Sequence, residues 1–227
     1  MEEKLQGKDI SISYAITVKD EVYELNQLFS VLSKHIRKND ELVILIDSEE
    51  QSKKHDSLIA MIDYFRENVL ANTSIHYHGL NKNFGEHKNF LNKLCTKDYI
   101  FQIDADEYPH ENLLIQLQHI LALNHGEIEL YFVPRINTVE SITEEHINKW
   151  GWQLSKEGWV NWPDFQGRIY LNSPVVEWKG AVHEKIVGAS VYTMLPVNHP
   201  AGKELYCLYH PKTIEKQENQ NKFYETI

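Results

Sequence analysis

The stretch Asp98-Tyr99-Ile100-Phe101-Gln102-Ile103-Asp104-Ala105-Asp106-Glu107 constrains this chain most, because a mostly apolar run stops abruptly in three carboxylates. Tyr99, Ile100, Phe101 and Ile103 suit a buried strand, and Pro109 forbids its continuation, so the acids fall at the strand's C-terminal end. In open α/β sheets ligands bind at that edge. Side chains two apart on extended backbone point the same way, so Asp104 and Asp106 are expected to reach one small volume. A divalent cation would relieve their repulsion. Hard carboxylate oxygens suit Mg²⁺ or Mn²⁺, which keep several waters and share a substrate's phosphates. The plainer reading is a solvated acidic turn, but a position behind a hydrophobic strand in mid-chain favours a metal-bridged diphosphate.

Around this strand, short apolar runs alternate with amphipathic stretches, the pattern of βαβ units on a largely parallel sheet. Ile10 to Val18 reads as the first strand, and Val22, Leu25, Leu28, Phe29 and Leu32 recur at helical spacing. A second strand, Leu42 to Ile46, ends in Asp47. Leu58, Ile59, Ile62 and Phe65 mark a helix, Ser74 to Tyr77 a short third strand, and Phe90, Leu91 and Leu94 the helix before the acidic strand. Leu113, Leu114, Leu117, Ile120 and Leu121 form another helical face, and Ile128 to Val133 with Pro134 reads as a strand closing this half. Pro211 to Tyr224 reads as a last helix with proline in its first turn. No linker or repeat divides the chain, so one domain over 1–227 is expected, with a ligand-binding part at 1–135 and an elaborated part at 136–227.

At 227 residues, 42% hydrophobic and 25% charged, the chain can bury a substantial core and has the composition of a globular protein. Its formal net charge of −10 argues against general affinity for nucleic acid or anionic lipid, which need an extended basic face. Cys95 and Cys207 are isolated, which suits a reducing compartment. Met1 to Gly7 has no apolar signal segment and no run approaches membrane-spanning length, so the expectation is a cytoplasmic protein without a transmembrane segment.

Several further segments accompany the acidic strand: Ile16-Thr17-Val18-Lys19-Asp20-Glu21, Asp47, Phe84-Gly85-Glu86-His87-Lys88-Asn89, Pro163-Asp164-Phe165-Gln166-Gly167-Arg168-Ile169-Tyr170 and Trp178-Lys179-Gly180-Ala181-Val182-His183-Glu184. Together with Ile103-Asp104-Ala105-Asp106-Glu107 they resemble the family 2 inverting glycosyltransferases of the GT-A fold. The C-terminal segments look like a subgroup from bacterial surface-polysaccharide synthesis and from some viruses. The resemblance implies a Rossmann-like sheet, mostly parallel and flanked by helices, that binds a UDP-, dTDP- or GDP-linked sugar with Mn²⁺ or Mg²⁺ and transfers the sugar to a carbohydrate acceptor. It implies that Thr17, Lys19, Glu21 and Asp47 hold base and ribose, and that Lys88 approaches the nucleotide where the family commonly has arginine. Ala105 lies between Asp104, which would hold ribose or a metal-bound water, and Asp106, which would ligate the cation. GT-A enzymes often add a C-terminal histidine; His210, which ends an apolar run, is the candidate.

Inverting transfer needs a base for the acceptor hydroxyl, and one carboxylate suffices. Glu184 is the first choice and Asp164 the second. His183 is placed on donor sugar or phosphate, and Arg168 either on developing negative charge or as a brace for Glu184. All five tryptophans lie between Trp150 and Trp178. Their faces suit the C–H side of a sugar ring, and Trp152, Trp162 and Trp178 are assigned to the acceptor, although large aromatics are also ordinary core material. His76-Tyr77-His78 lacks an adjacent acidic or cysteine partner and reads as surface or edge. Nucleotidyl transfer is the competing enzymatic reading, without a Gly-rich phosphate loop to support it. A carbohydrate-binding protein that lost turnover is the non-enzymatic one.

Overall fold

The computed structural model describes residues 9–50, 52–69, 72–198 and 203–226. Residues 1–7, where no leader is expected, lie outside that set. In chain order the elements are β1 (Ile12–Val18), α1 (Val22–Leu32), β2 (Glu41–Asp47), α2 (His55–Asn68), β3 (Thr73–His78), α3 (Phe84–Asn92), β4 (Tyr99–Asp104), β5 (Tyr108–Pro109) and α4 (Glu111–Leu123). There follow β6 (Leu130–Glu140), α5 (Glu144–Trp150), β7 (Val160–Leu171), β8 (Glu177–Lys179), β9 (Lys185–Val187), β10 (Tyr192–Met194), β11 (Leu208–Thr213) and α6 (Ile214–Tyr224).

The main sheet runs β3-β2-β1-β4-β7-β6-β11-β5, with β10 beside β6, while β8 and β9 form a separate antiparallel pair. β3, β2, β1 and β4 are mutually parallel. β7 opposes β4 and β6, and β11 runs parallel to β6. Period-two alternation sorts the core onto two faces. Ile12, Tyr14, Ile16, Tyr99, Phe101 and Ile103 pack with α1, α2 and α4. Ala15, Val43, Leu45 and Ile100 pack with Leu91 of α3 and with Trp178. Both faces are covered, which is why these strands read as near-continuous apolar runs.

Chain order reverses between β1 and β4, since β2 and β3 lie on one side of β1 and β4 on the other. That reversal is where crossovers diverge and leave a crevice. Thr17 and Asp104 are register partners there.

Two expectations need correction. β6 does not close at Pro134 but runs to Glu140. On the flank away from β7 its partner changes from β10, up to Phe132, to β11, from Arg135, and Pro134 falls in the gap between them. Pro211 lies inside β11, and α6 begins after it, with the Thr213 side chain accepting from the Lys216 N–H as cap.

Candidate functional site

At the C-terminal edge of β1 and β2, Asp47 is buried and its Oδ1 accepts from the backbone N–H groups of Glu49 and Leu80 at 3.0 and 2.9 Å. Its Oδ2 takes no hydrogen bond, and the Lys19 ammonium stands 3.4 Å away as an ion-pair partner. A buried carboxylate oxygen with an open hydrogen-bonding position suits a ligand N–H or O–H. The Glu21 carboxylate accepts from the N–H groups of Lys19 and Asp20, which shapes the turn after β1. Burial raises its pKa. Beside these residues the starts of α1 and α6 enclose a cavity of about 250 Å³ lined by Glu21, Glu24, Lys54 and Lys216 among others.

Asp104 and Asp106 take different protein partners. β4 ends at Asp104 and the chain turns at once, the Glu107 N–H reaching the Asp104 carbonyl at 2.9 Å, so the extended geometry that would align the two acids is absent. The Asp104 carboxylate instead accepts from Arg168 at 2.8 Å, from Thr17 and Gln102 at 3.1 Å each, and pairs with Lys88 at 3.1 Å. Burial opposes its ionisation, but the charges of Arg168 and then Lys88 outweigh burial and hold its pKa well below the usual carboxylate range. Arg168 is buried and also bonds Gln102 and Glu107, at 2.8 and 2.6 Å. It braces Asp104 and Glu107, not Glu184. Ala105 is buried, its N–H bonded to the Thr17 carbonyl at 3.1 Å.

Asp106 faces the C-terminal segment. His210 Nε2 lies 3.4 Å from its Oδ2, Lys216 Nζ 3.3 Å and Lys212 Nζ 3.8 Å. Burial again opposes ionisation, and His210, Lys212 and Lys216 together lower the Asp106 pKa strongly. His210 sits beside Asn137 in register, its Nδ1 2.7 Å from Asn137 Oδ1. The Asn137 amide nitrogen donates to Asp164 at 2.8 Å, which turns its oxygen toward the ring and assigns the His210 proton to Nδ1. Burial lowers the His210 pKa despite Asp106. His210 Nε2 and the Asp106 carboxylate thus face each other across 3.4 Å. That pair fits a hard divalent cation, with the remaining positions left to phosphate oxygens and water. Among the described residues no group of three or more His, Cys, Asp or Glu side chains is placed to enclose a metal by itself.

Glu184 stands just before β9, and its Oε1 accepts from Lys88 at 2.7 Å. Asp164 is differently placed: Arg135 and Asn137 donate to its Oδ2 at 2.9 and 2.8 Å, and Gln166 to its Oδ1 at 2.6 Å. Although burial raises it, Arg135 and these bonds bring the Asp164 pKa down. A carboxylate so satisfied is a poor proton acceptor. His183 is exposed, has φ +54°, and packs edge-on to Tyr224 with ring centroids 5.6 Å apart. Trp178, expected at the acceptor, is only 5% exposed; its indole N–H donates to the Tyr170 hydroxyl at 3.0 Å and Lys88 lies 4.7 Å above its ring. Trp152 and Trp162 are half-buried, in contact with Trp150 and Trp159. His76-Tyr77-His78 lies on β3, the edge strand of the main sheet, where His78 pairs with His87 at 3.3 Å and stacks on Phe90.

Sequence reasoning missed Glu107, Arg135, Asn137, Lys212 and Lys216. Glu107 is fully enclosed and ties Arg168 to Arg135, which continues to Asp164. Arg135 with Asn137, and His210 with Lys212, are i, i+2 pairs on neighbouring strands; reading β6 through Pro134 and β11 through Pro211 would have exposed both.

This architecture, a mostly parallel Rossmann-like sheet flanked by helices with its acids at the reversal of strand order, is the GT-A glycosyltransferase fold. The solved structures it is similar to include three of TarS from S. aureus. The 1–349 fragment in complex with UDP-GlcNAc superposes with a TM-score of 0.55 at 13% identity, over 89% of this chain and 59% of that one. The fragment in complex with UDP gives 0.55 at 12% identity, over 96% and 65%. The longer TarS structure gives 0.56 at 13% identity, over 93% and 38%. This chain thus spans about 60% of the length of the fragment it matches. No family model and no curated protein sequence matches it. Among the described residues no helix is long and apolar enough to cross a membrane.

Proposed function

We propose that this protein is an inverting glycosyltransferase of family 2 type. It would move a sugar from a UDP-, dTDP- or GDP-linked donor to a carbohydrate hydroxyl, with Mn²⁺ or Mg²⁺ bound by Asp106 and His210. The observation that carries this reading is His210 Nε2 facing Asp106 Oδ2 at 3.4 Å beside the strand reversal of a GT-A sheet. UDP-GlcNAc and UDP bound to TarS on the same fold agree with a nucleoside diphosphate donor. When bound, the cation supplies a Lewis acid for the departing diphosphate.

The chain's own residues have separable tasks. Thr17, Lys19, Glu21 and Asp47 surround the nucleoside, and the buried Asp47 Oδ2 accepts a hydrogen bond from it. Arg168 and Lys88 fix Asp104 at the crevice. Lys212 and Lys216 place positive charge beside Asp106, where diphosphate charge collects. Glu184, with one protein partner against the several on Asp164, receives the acceptor proton. Trp152 and Trp162 face the acceptor, and His183 lies toward the donor sugar.

Calorimetric titration of UDP, dTDP and GDP with and without Mn²⁺ tests the reading. One nucleotide should bind at least about tenfold tighter with the cation, and Asp106→Ala should remove that gain. A chain that binds oligosaccharide but is indifferent to nucleotide and Mn²⁺ would be the non-catalytic binder instead.

A further inference from the structure

Lys88 connects two carboxylates that come from opposite halves of the chain. Its ammonium is 2.7 Å from Glu184 Oε1 and 3.1 Å from Asp104 Oδ1, and the residue is 3% exposed. The Trp178 ring closes a further side, 4.7 Å from Nζ to the centroid. Lys88 thus meets protein groups on three sides. A buried ammonium shared between two carboxylates and an aromatic face acts on those groups.

Its helix is clamped to the segment that carries Glu184. Asn89 exchanges two hydrogen bonds with the Trp178 backbone, at 2.9 and 2.8 Å, and the Phe84 and Gly85 N–H groups reach the carbonyls of Ala181 and Gly180 at 2.9 and 3.1 Å. The clamp ends at Ala181. Beyond it the Glu184 side chain has Lys88 as its bonded partner among the described residues, and its Oε2 takes no hydrogen bond from them. Arg168 and Tyr224 also interact electrostatically with Glu184, but neither is bonded to it.

We propose that Lys88 is a positioning residue. It holds Glu184 Oε1 at a fixed place beside Asp104, leaving Oε2 to take the acceptor proton, and so couples the donor crevice to acceptor activation. This inference rests on Glu184 being the base. The residue then acts on turnover through Glu184 and contributes little to nucleotide affinity.

A double-mutant cycle tests it, with donor KM, kcat and nucleoside-diphosphate affinity measured for Lys88→Met, Lys88→Arg, Glu184→Gln and Lys88→Met/Glu184→Gln. Lys88→Met keeps the alkyl stem over Trp178 and should lower kcat about 100-fold, the scale of a mispositioned general base. Donor KM and nucleotide affinity should stay within about threefold. Lys88→Arg should recover at least about tenfold of the lost kcat, since its fork can reach both carboxylates. In the Glu184→Gln background Lys88→Met should add almost nothing, as expected when one residue acts through another. Nucleotide affinity falling with kcat nearly unchanged would make Lys88 a donor contact and overturn the proposal, as would multiplicative losses in the double variant. Should Lys88→Met fail to fold, a Lys88→Arg variant with raised donor KM at unchanged kcat overturns it equally. Near-normal turnover in Glu184→Gln alone would sink the base assignment, a separate failure.

Discussion

Asp104 and Asp106 are two residues apart and live in different electrostatic regimes. Asp104 is consumed by the protein: Arg168, Lys88, Thr17 and Gln102 all reach it from rigid strands or from α3, at 2.8 to 3.1 Å. The charged and imidazole neighbours of Asp106, none closer than 3.3 Å, come from β11 and α6 at the end of the chain. The first carboxylate is bonded closely on several sides and the second is held by longer ion pairs. A pair of acids that reads as one symmetric clamp thus has two unlike sets of partners.

The largest test of that division is stability. Arg168→Leu removes the cation shared by buried Glu107 and by Asp104, and should cost about 3–5 kcal/mol, the scale for stranding one member of a buried pair. Urea denaturation at neutral pH measures it, and a loss below about 1 kcal/mol would mean that the Arg168 pairs contribute no more than surface ones.

The next test concerns a buried imidazole on α3. Burial lowers the His87 pKa from 6.5 to about 4, and His210 is lowered for the same first reason. As pH falls below 6.5 the unfolded chain takes up protons that the folded chain refuses, so stability is complete above 6.5 and declines toward 4. Between pH 7 and 5 the His87 share should be about 2 kcal/mol, and His87→Gln should remove that share from the difference in urea midpoints. An unchanged pH dependence in the variant would mean that His87 is charged in the folded protein.

The smallest effect lies on α6. Lys216 is 31% exposed at its side chain and shared between Asp106 and Glu24, so Lys216→Met should change stability by less than about 1 kcal/mol. The same variant should weaken nucleoside diphosphate binding more than nucleoside monophosphate binding. Equal losses for the two ligands would remove Lys216 from the proposed diphosphate contacts.

The legible part of this molecule is the part governed by local periodicity. The β1–β4 half was readable because strands buried on both faces give uninterrupted apolar runs, and α1 runs from Val22 to Leu32 as its spacing indicates. Pro134 was read as the end of a strand and Pro211 as the start of a helix, whereas the tertiary arrangement places the first between β10 and β11 and the second within β11. The acids were found because they end an apolar strand. Their partners were not, since Arg135 and Lys212 are ordinary surface-type residues until the β6–β11 pairing brings them inward. Trp178 was misassigned for the complementary reason: an indole suits a sugar face and a core equally, and only Tyr170 and Lys88 decide between them.

Gly85 and Gly180 meet backbone to backbone, and a Cβ built on Gly85 would lie 2.7 Å from the Gly180 carbonyl oxygen. Any larger residue at 85 has to push the two segments apart, and with them the register of Asn89 against Trp178. A C-terminal half grafted from another protein of this architecture must therefore bring a compatible α3 with it. The practical seam for such chimeras follows this glycine contact, not the midpoint of the sequence.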